Sequence, residues 1–239
     1  MAARLGVFLI VWLWLLPLGE VPRPLMVVWN VGQGQWVTVR DERGCWHFDA
    51  GGESAPWRQV MRLCRHLPNY LSLSHWDWDH IGFVAQMAYH LPNTCLLHEP
   101  PGSATARKAR IVERIGRCSI PPTYPFWENP AVTDSSNALS RVLHWRGILI
   151  PGDSTRHEEA VWRQTLDLRS VRILILGHHG SQTSTSRELL HTLSSLRMAI
   201  ASSRYERYGH PHRRVREELQ HAHVPLITTE DWGHIIIWL

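Results

Sequence analysis

Short apolar runs alternate with polar and amphipathic stretches from residue 25 to the end of the chain. Three strand-like runs come first, and strand-like runs then alternate with stretches of helical spacing. The pattern predicts strands at 26–31, 36–40, 45–48, 70–74, 139–145, 147–151, 171–176, 198–202 and 234–238. It predicts helices at 57–66, 81–90, 104–116, 157–168, 186–194 and 212–221. This order is typical of an α/β fold in which two β-sheets lie between helices.

Chemically versatile residues directly follow four of the strand-like runs. These residues are Asp49, His75, Asp153 and His178. Strand ends that meet at one edge of a sheet scaffold would bring such side chains into a single cleft. The sequence therefore predicts one polar site at a sheet edge.

The densest group of candidate ligands follows the strand predicted at 70–74. Four residues there offer an imidazole nitrogen or a carboxylate oxygen: His75, Asp77, Asp79 and His80. Such donors suit Zn or Mn. The first three can face one way on a turn that leaves a strand, while His80 reaches toward a second ion. Two divalent ions roughly 3.5–4 Å apart could then clamp a phosphoryl group. The alternative is a solvated acidic turn at a helix start.

The bulk composition fits one globular domain preceded by a short apolar segment. The chain has 239 residues, of which 44% are hydrophobic and 19% charged, so a disordered or fibrous protein is excluded. We divide it into a signal or membrane-anchor segment, residues 1–24, and a domain, residues 25–239. The apolar run 5–18 is shorter than the ~20 residues of a membrane-spanning helix and matches a secretory signal. We therefore expect a periplasmic, extracytoplasmic or membrane-anchored protein; a buried N-terminal helix is the alternative.

The charge balance is mildly basic. A formal net charge of +4 suits an anionic partner but falls short of a strong nucleic-acid signature. Every basic residue except Lys108 is arginine, which binds phosphate in a bidentate manner. A codon preference for arginine would give the same composition, so this observation supports an anionic substrate only weakly.

The four cysteines are widely spaced and form no CxxC pair: Cys45, Cys64, Cys95 and Cys118. This spacing is not that of a structural zinc knuckle. Two alternatives remain, one or two disulfides in an exported protein or separate buried thiols.

The histidine and aspartate motif resembles a known family. The residues 75–80, His-Trp-Asp-Trp-Asp-His, resemble the HxDxDH variant of the metallo-β-lactamase superfamily motif. Five further blocks carry the resemblance: Asn-Val-Gly-Gln-Gly at 30–34, Asp-Ala-Gly-Gly at 49–52, Pro-Gly-Asp at 151–153, His-His-Gly-Ser at 178–181 and Tyr-Gly-His-Pro at 208–211. Together they resemble the soluble C-terminal domain of the ComEC family of DNA-internalisation competence proteins, from about Met26 to the C-terminus.

The resemblance implies an αββα sandwich with two divalent ions, Zn or Mn, in its cleft. It implies a set of metal ligands: His75, Asp77, Asp79, His80, Asp153 and His178. Asp153 would bridge the two ions, and Asp79 and His178 would carry catalytic roles. Further residues would support a ligand or contact substrate: Asp49, Asn137, Ser140, His179, Ser181 and His210. His179 is also the alternative to His178 as the last histidine ligand.

Simpler interpretations exist for three of these positions. Asp153 could be a helix N-cap after Pro-Gly. The block 178–181 could be a turn with a capping serine. His210, before Pro211, could be a helix entrance.

The chain departs from the family pattern at three positions. Asn30 and Gln35 stand where the family usually has aspartates, which places the support of the metal cleft in doubt there. Phe83 replaces a usual glycine, which we interpret as a packing change. Full-length members are polytopic membrane channels, so a membrane channel is a candidate partner of this module.

Three functions compete. The resemblance favours a metal-dependent nuclease or phosphodiesterase acting on DNA, single-stranded or duplex, in DNA uptake. A hydrolase of a small ester, lactone or β-lactam on the same fold is the alternative enzyme. The replacements at Asn30 and Gln35 motivate a third hypothesis, a non-catalytic DNA-binding module.

Overall fold

Two six-stranded β-sheets face each other, and helices cover both outer faces. The computed structural model describes residues 23–121, 124–130 and 133–239. The predicted α/β sandwich of two sheets between helices is confirmed. Residues 1–22 of the predicted signal or anchor segment lie outside the described residues. Within the described ranges, no helix has the length and apolar character needed to cross a membrane.

The first sheet contains β12, β1, β2, β3, β4 and β5 in that order, and the second contains β11, β10, β9, β8, β7 and β6. The strands are β1 Leu25–Val28, β2 Val37–Asp41, β3 Gly44–Phe48, β4 Asn69–Ser72, β5 Thr94–His98, β6 Phe126–Trp127, β7 Val142–Trp145, β8 Ile148–Ile150, β9 Ile173–Ile175, β10 Met198–Ala201, β11 Leu226–Thr228 and β12 Ile235–Trp238. Strands β3, β4 and β5 are parallel, as are β8, β9, β10 and β11. Parallel neighbours end at the same sheet edge, which is where the functional residues follow.

The helices are α1 Trp57–Cys64, α2 Trp78–Ile81, α3 Val84–His90, α4 Ala106–Val112, α5 Arg156–Thr165, α6 Arg187–Thr192, α7 Tyr205–Tyr208, α8 Arg213–His221 and α9 Thr229–Trp232. A short 3-10 turn spans Gly177–Gly180. The helix predicted at 81–90 is found as α3, which begins at Val84, and the four-residue α2 that precedes it was not predicted.

Three buried layers of side chains follow from the alternation along each strand. In β1, Met26 and Val28 belong to the layer between the sheets, whereas Val27 belongs to the layer under α1, α3 and α4. A third layer packs the second sheet against α5, α6 and α8. Because successive side chains of a strand point to opposite faces, one apolar strand serves two layers. Phe83 packs in the first helical layer, 6.1 Å from the ring centre of Trp36, as the packing interpretation predicted.

Several short elements were not predicted. Strands β5, β6 and β11 and helices α7 and α9 have no counterpart in the predicted set. Apart from the five-residue β5, each has two to four residues, which is too brief to distinguish from a loop by its apolar pattern.

Two disulfides join the four cysteines: Cys45 to Cys64 and Cys95 to Cys118. The first ties β3 to α1 through two fully buried side chains. The second ties β5 to the segment after α4. Of the two alternatives left by the sequence, the structure has the disulfides.

We predict that the double variant Cys45→Ala/Cys64→Ala loses about 3 kcal/mol of unfolding free energy, because the bond closes a segment of 19 residues. Urea denaturation of the oxidised proteins measures the difference. The variant Cys95→Ala/Cys118→Ala, which keeps only the Cys45–Cys64 bond, is the control, and a comparable loss when it is reduced would assign the effect to that cross-link and not to side-chain volume. Equal stability of variant and wild type would contradict the prediction.

A histidine without any candidate role in the cleft is buried in β3. His47 Nδ1 accepts a hydrogen bond from Trp36 Nε1 at 3.1 Å, and its Nε2 lies 2.9 Å from Asn69 Oδ1. These partners fit a neutral ring with the proton on Nε2. Burial lowers the pKa of His47 to about 4, with the Asn69 contact opposing the shift.

The lowered pKa of His47 predicts acid sensitivity of the fold. In the unfolded chain His47 takes up a proton at its ordinary pKa of about 6.5, whereas in the folded chain it stays neutral until the pH reaches about 4. The contribution of the neutral, buried ring to the free energy of unfolding is therefore complete above pH 6.5 and is lost as the pH falls to 4. The loss is about 3 kcal/mol. In His47→Gln, which cannot titrate, unfolding free energy should fall less steeply over this range. Parallel pH profiles for the two proteins would exclude His47 as the source.

Candidate metal centre

Strand ends deliver the candidate ligands to one edge. Asp49 follows β3, His75 follows β4 and Asp153 follows β8. The turn after β9 carries His178 and His179. Since β3 and β4 are parallel, as are β8 and β9, the side chains converge where the two sheets meet.

One compact set of donors consists of four residues whose ligand atoms all lie within 4.8 Å of one another: Asp79, His80, Asp153 and His179. His80 Nε2 is 3.0 Å from Asp153 Oδ1, without the alignment of a hydrogen bond. His179 Nε2 is 3.2 Å from Asp79 Oδ2 and 3.7 Å from Asp153 Oδ1. We call this group the Asp79 set.

A second set of donors lies on the other oxygen of the same aspartate. Asp153 Oδ2 is 3.7 Å from His75 Nε2 and 3.7 Å from His178 Nε2. Asp77 Oδ2 is 3.5 Å from His75 Nε2. We call this group the His75 set. Asp153 therefore presents one oxygen to each set.

The tautomers of two imidazoles are fixed by acceptors behind them. His80 Nδ1 lies 2.7 Å from Asp49 Oδ2, and His179 Nδ1 donates to the carbonyl of Ser202 at 3.0 Å. With the proton on Nδ1, each ring directs the lone pair of Nε2 forward, the arrangement typical of metal-ligating histidines. The two Nε2 atoms are 3.2 Å apart, which is within hydrogen-bond distance when one of them is protonated and is also a separation that two nitrogen ligands of one ion can have.

Unpartnered buried atoms also fit a cation. His75 Nε2 and Asp153 Oδ1 are buried and accept or donate no hydrogen bond among the described residues. A buried polar atom without a partner is costly, and native proteins keep one where a ligand satisfies it. The donor chemistry, imidazole and carboxylate, fits a divalent ion of the Zn or Mn class.

The charges of the buried side chains also favour a cation at this site. Burial raises the pKa of Asp153, but the charges of His80 and His179 outweigh it and hold that pKa well below the ordinary value. Burial lowers the pKa of His80, but Asp153 and Asp49 outweigh it and hold that pKa well above the ordinary value. The Asp153 carboxylate thus stays charged in the interior and favours a positive charge beside it.

Asp49 organises the residues behind the site. Its carboxylate accepts hydrogen bonds from the amide of Ser74 at 2.7 Å, the hydroxyl of Ser74 at 2.8 Å and Gln35 Nε2 at 2.6 Å, besides its contact with His80. Gln35 therefore supports the site directly. Asn30 instead accepts a hydrogen bond from Gly32 in a local turn.

The loops behind the site approach the backbone of Asp79 so closely that they leave no room for a Cβ atom. A Cβ atom on Gly51 would lie 2.4 Å from the carbonyl carbon of Asp79, and one on Gly34 would lie 2.8 Å from its oxygen. This contact lets the amide of Gln35 bond to Asp79 O at 2.9 Å and the amide of Ala50 to His80 O at 2.8 Å. The backbone of the motif is thus held by glycine-lined loops.

Left-handed backbone at three site residues is a second constraint. Asp49, His178 and His179 have φ values of 59°, 48° and 55°. Such conformations cost of order 1–3 kcal/mol each in residues other than glycine and cluster at functional sites. The consecutive pair aims His179 into the Asp79 set and leaves the His178 side chain 27% exposed at its edge.

The remaining predicted residues lie around the rim. Asn137 Nδ2 is 3.5 Å from His178 Nε2, whereas Ser140 Oγ accepts a hydrogen bond from the amide of Asp153 at 3.0 Å. Ser140 thus holds the backbone of Asp153 in place. Ser181 Oγ lies 3.0 Å from the hydroxyl of Thr183, which is itself 3.1 Å from His178 Nδ1.

His210 stands beside the site without joining either set. Its ring centre is 6.1 Å from that of His178, and its Nδ1 lies 3.2 Å from Gln33 Nε2. Burial, followed by the charges of His179 and His178, lowers the pKa of His210 to about 4.

Sequence reasoning missed several participants. Ser74 immediately precedes the motif, and its hydroxyl lies 2.9 Å from His75 Nδ1. Lys108 places its Nζ 3.6 Å from Asp77 Oδ1, a contact that the sequence did not indicate. The Ser202 carbonyl and Thr183 left no signal in the sequence, because a carbonyl is common to all residues and threonines are frequent in loops.

Comparison with known proteins identifies similar sequences. No family model matches the chain. It is 24% identical over 250 residues to ComE operon protein 3 of Bacillus subtilis strain 168, covering 86% of this chain and 32% of that protein. It is 28% identical over 227 residues to competence protein ComA of Neisseria gonorrhoeae, covering 86% and 31%. A third relative, recombination protein 2 of Haemophilus influenzae, is 30% identical over 156 residues, covering 62% and 19%. The chain thus spans about a third or less of these relatives.

Solved structures of similar shape cover nearly the whole chain. The metallo-β-lactamase fold protein YhfI from Bacillus subtilis has a TM-score of 0.58 at 9% identity, covering 90% of this chain and 99% of that one. Igni18, a metallo hydrolase from Ignicoccus hospitalis, has a TM-score of 0.54 at 10% identity, covering 90% and 99%. A diphosphatase of the PhnP family has a TM-score of 0.54 at 10% identity, covering 91% and 98%. The chain therefore has the metallo-β-lactamase fold, and its sequence resembles the competence proteins, as the motif predicted.

Proposed function

We propose that this domain is a metal-dependent phosphodiesterase that cleaves DNA. The observation that carries the proposal is the shared aspartate, which presents Oδ1 to the Asp79 set and Oδ2 to the His75 set. Two donor sets joined by one carboxylate fit a pair of divalent ions. Such ions, when bound, polarise a phosphoryl oxygen and lower the pKa of water.

The residues of the chain hold the candidate ligands in position and orient them. Asp49 and the Ser202 carbonyl hold two imidazoles so that Nε2 points forward. Ser140 holds Asp153 in place between the sets. At the more exposed edge, the Asn137 amide lies beside His178 and can donate to a phosphate oxygen. No serine or cysteine nucleophile is required by this arrangement.

Three observations support DNA as the substrate. One relative is named as a competence protein, one as a ComE operon protein and one as a recombination protein. A structural neighbour is a diphosphatase, so this fold carries out phosphoryl chemistry elsewhere. The net charge of +4 suits a polyanion.

The structure weakens the argument for a non-catalytic module. That hypothesis rested on the amides at Asn30 and Gln35. Gln35 donates a hydrogen bond to Asp49, so an amide at this position serves the carboxylate that orients His80. The replacement therefore keeps the support of the metal centre.

We propose further that the domain works outside the cytoplasm. Two disulfides fit an oxidising compartment, because cytoplasmic thiols are generally kept reduced. This location agrees with the predicted export or anchoring by residues 1–24, and a membrane channel that hands over DNA is the partner we propose there.

We predict that Asp49→Asn lowers metal affinity roughly 10- to 100-fold, because the amide cannot accept all the hydrogen bonds that orient His80 and Ser74. Competition with a chelating dye measures the affinity, and one to two ions per wild-type chain are expected. Asp41→Asn is the control, since Asp41 is also buried but contacts Trp46 and Arg146 instead. Equal affinities in the Asp49 variant and wild type would contradict the assigned role.

We predict that Asp79→Asn and Asp153→Asn each abolish hydrolysis of DNA, because each removes a charge that holds an ion. DNA affinity without turnover should fall far less, since phosphate contacts come mainly from basic and backbone groups. Cleavage of a labelled strand measures the rate, with the exposed Asp167→Asn as control. Near-normal cleavage in either variant would refute the assignment at that position, and binding by wild type without cleavage would favour the non-catalytic hypothesis.

A further inference from the structure

An exposed tryptophan lies within the ligand motif itself. Trp78 is 42% exposed and sits between the candidate ligands Asp77 and Asp79. The other tryptophan of the motif, Trp76, is 6% exposed and donates a hydrogen bond to the Gly102 carbonyl. Trp76 is therefore a packing residue, whereas the Trp78 ring remains open at the start of α2.

Two consecutive cations of α4 approach this ring. The guanidinium of Arg107 is 5.1 Å from the Trp78 ring centre, and the ammonium of Lys108 is 5.7 Å from it. The same ammonium is 3.6 Å from Asp77 Oδ1. One cation thus contacts both the aromatic ring and a member of the His75 set, so the ring lies on the rim of the metal centre.

We propose that Trp78, Arg107 and Lys108 form a platform that binds single-stranded DNA beside the metal centre, with a base on the indole and the backbone phosphates on the two cations. This inference rests on the proposed function and specifies its substrate. We refer to these three residues as the Trp78 platform.

The chemistry of the platform selects a single strand. Bases stack on exposed aromatic side chains with little sequence preference, and neighbouring cations neutralise the backbone. In a duplex the faces of the bases are already covered by their neighbours, so the indole would gain no contact there.

The test compares binding of strands with and without bases. Metal-loaded wild type, Trp78→Ala and Trp78→Phe are titrated with a labelled single-stranded oligonucleotide whose phosphorothioate linkages resist cleavage, and with an abasic strand of equal length. Trp78→Ala should weaken binding of the base-containing strand on the order of tenfold to a hundredfold, with little change on the abasic strand. Trp78→Phe should restore most of the affinity. Trp232→Ala, which removes a tryptophan that is 75% exposed on α9, is the control.

The cations are tested by salt dependence. Lys108→Gln should weaken binding of both strands and reduce the slope of log affinity against log salt by about one. Arg169→Gln, which removes a guanidinium whose side chain is 86% exposed and paired with Asp167, should leave the slope unchanged. Metal content of every variant is measured, so that a damaged centre is recognised separately.

The outcomes separate this inference from the proposed function. Equal affinity of Trp78→Ala and wild type for the base-containing strand, or equal losses on both strands, would overturn the platform even if wild type cleaves DNA. Base-dependent binding through Trp78 without any cleavage by wild type would support the platform and contradict the nuclease.

Discussion

The hydrogen bonds accepted by Asp49 are the interaction on which the candidate site depends. This carboxylate lies at the end of β3 and binds the backbone and hydroxyl of Ser74 at the end of β4, so it fixes two neighbouring strand ends to each other. It also orients His80, which follows a helical turn later in the chain. One buried anion thereby converts three separate segments into a single rigid unit.

The burial of so many ionisable groups has an energetic cost that the scaffold must offset. Asp49 and Asp153 are nearly inaccessible, and the left-handed backbone at three site residues adds strain. The opposing contributions are the apolar layer between the sheets, the two helical layers and the disulfide that fastens β3 to α1. A rigid sandwich therefore maintains a buried cluster of carboxylates and imidazoles at one edge of the two sheets.

The architecture and the cleft could be predicted because they depend on local patterns. Apolar runs that end in Asp49, His75 or Asp153 indicated both the strands and their common edge. Short elements such as β6 and β11 could not be predicted, since an apolar run of two or three residues carries no clear period. The sequence also left the choice between His178 and His179 open. Two consecutive left-handed residues decide which ring enters the Asp79 set, and that conformation has no sequence signature in a His-His pair. The contact between Lys108 and Asp77 is tertiary, so spacing along the chain could not reveal it.

The disulfide between Cys95 and Cys118 has a consequence for the rim of the cleft. It closes the base of the excursion that carries α4, where Leu96 also bonds through its backbone to Gly116 and Cys118. The segment that brings Arg107 and Lys108 to Trp78 is therefore a covalently closed loop attached to β5, the edge strand of the first sheet. The candidate metal ligands Asp153 and His179 lie outside this loop and follow strands of the second sheet. Reduction of this bond would leave the loop closed only by backbone hydrogen bonds at its base, so Arg107 and Lys108 would be held less firmly beside Trp78.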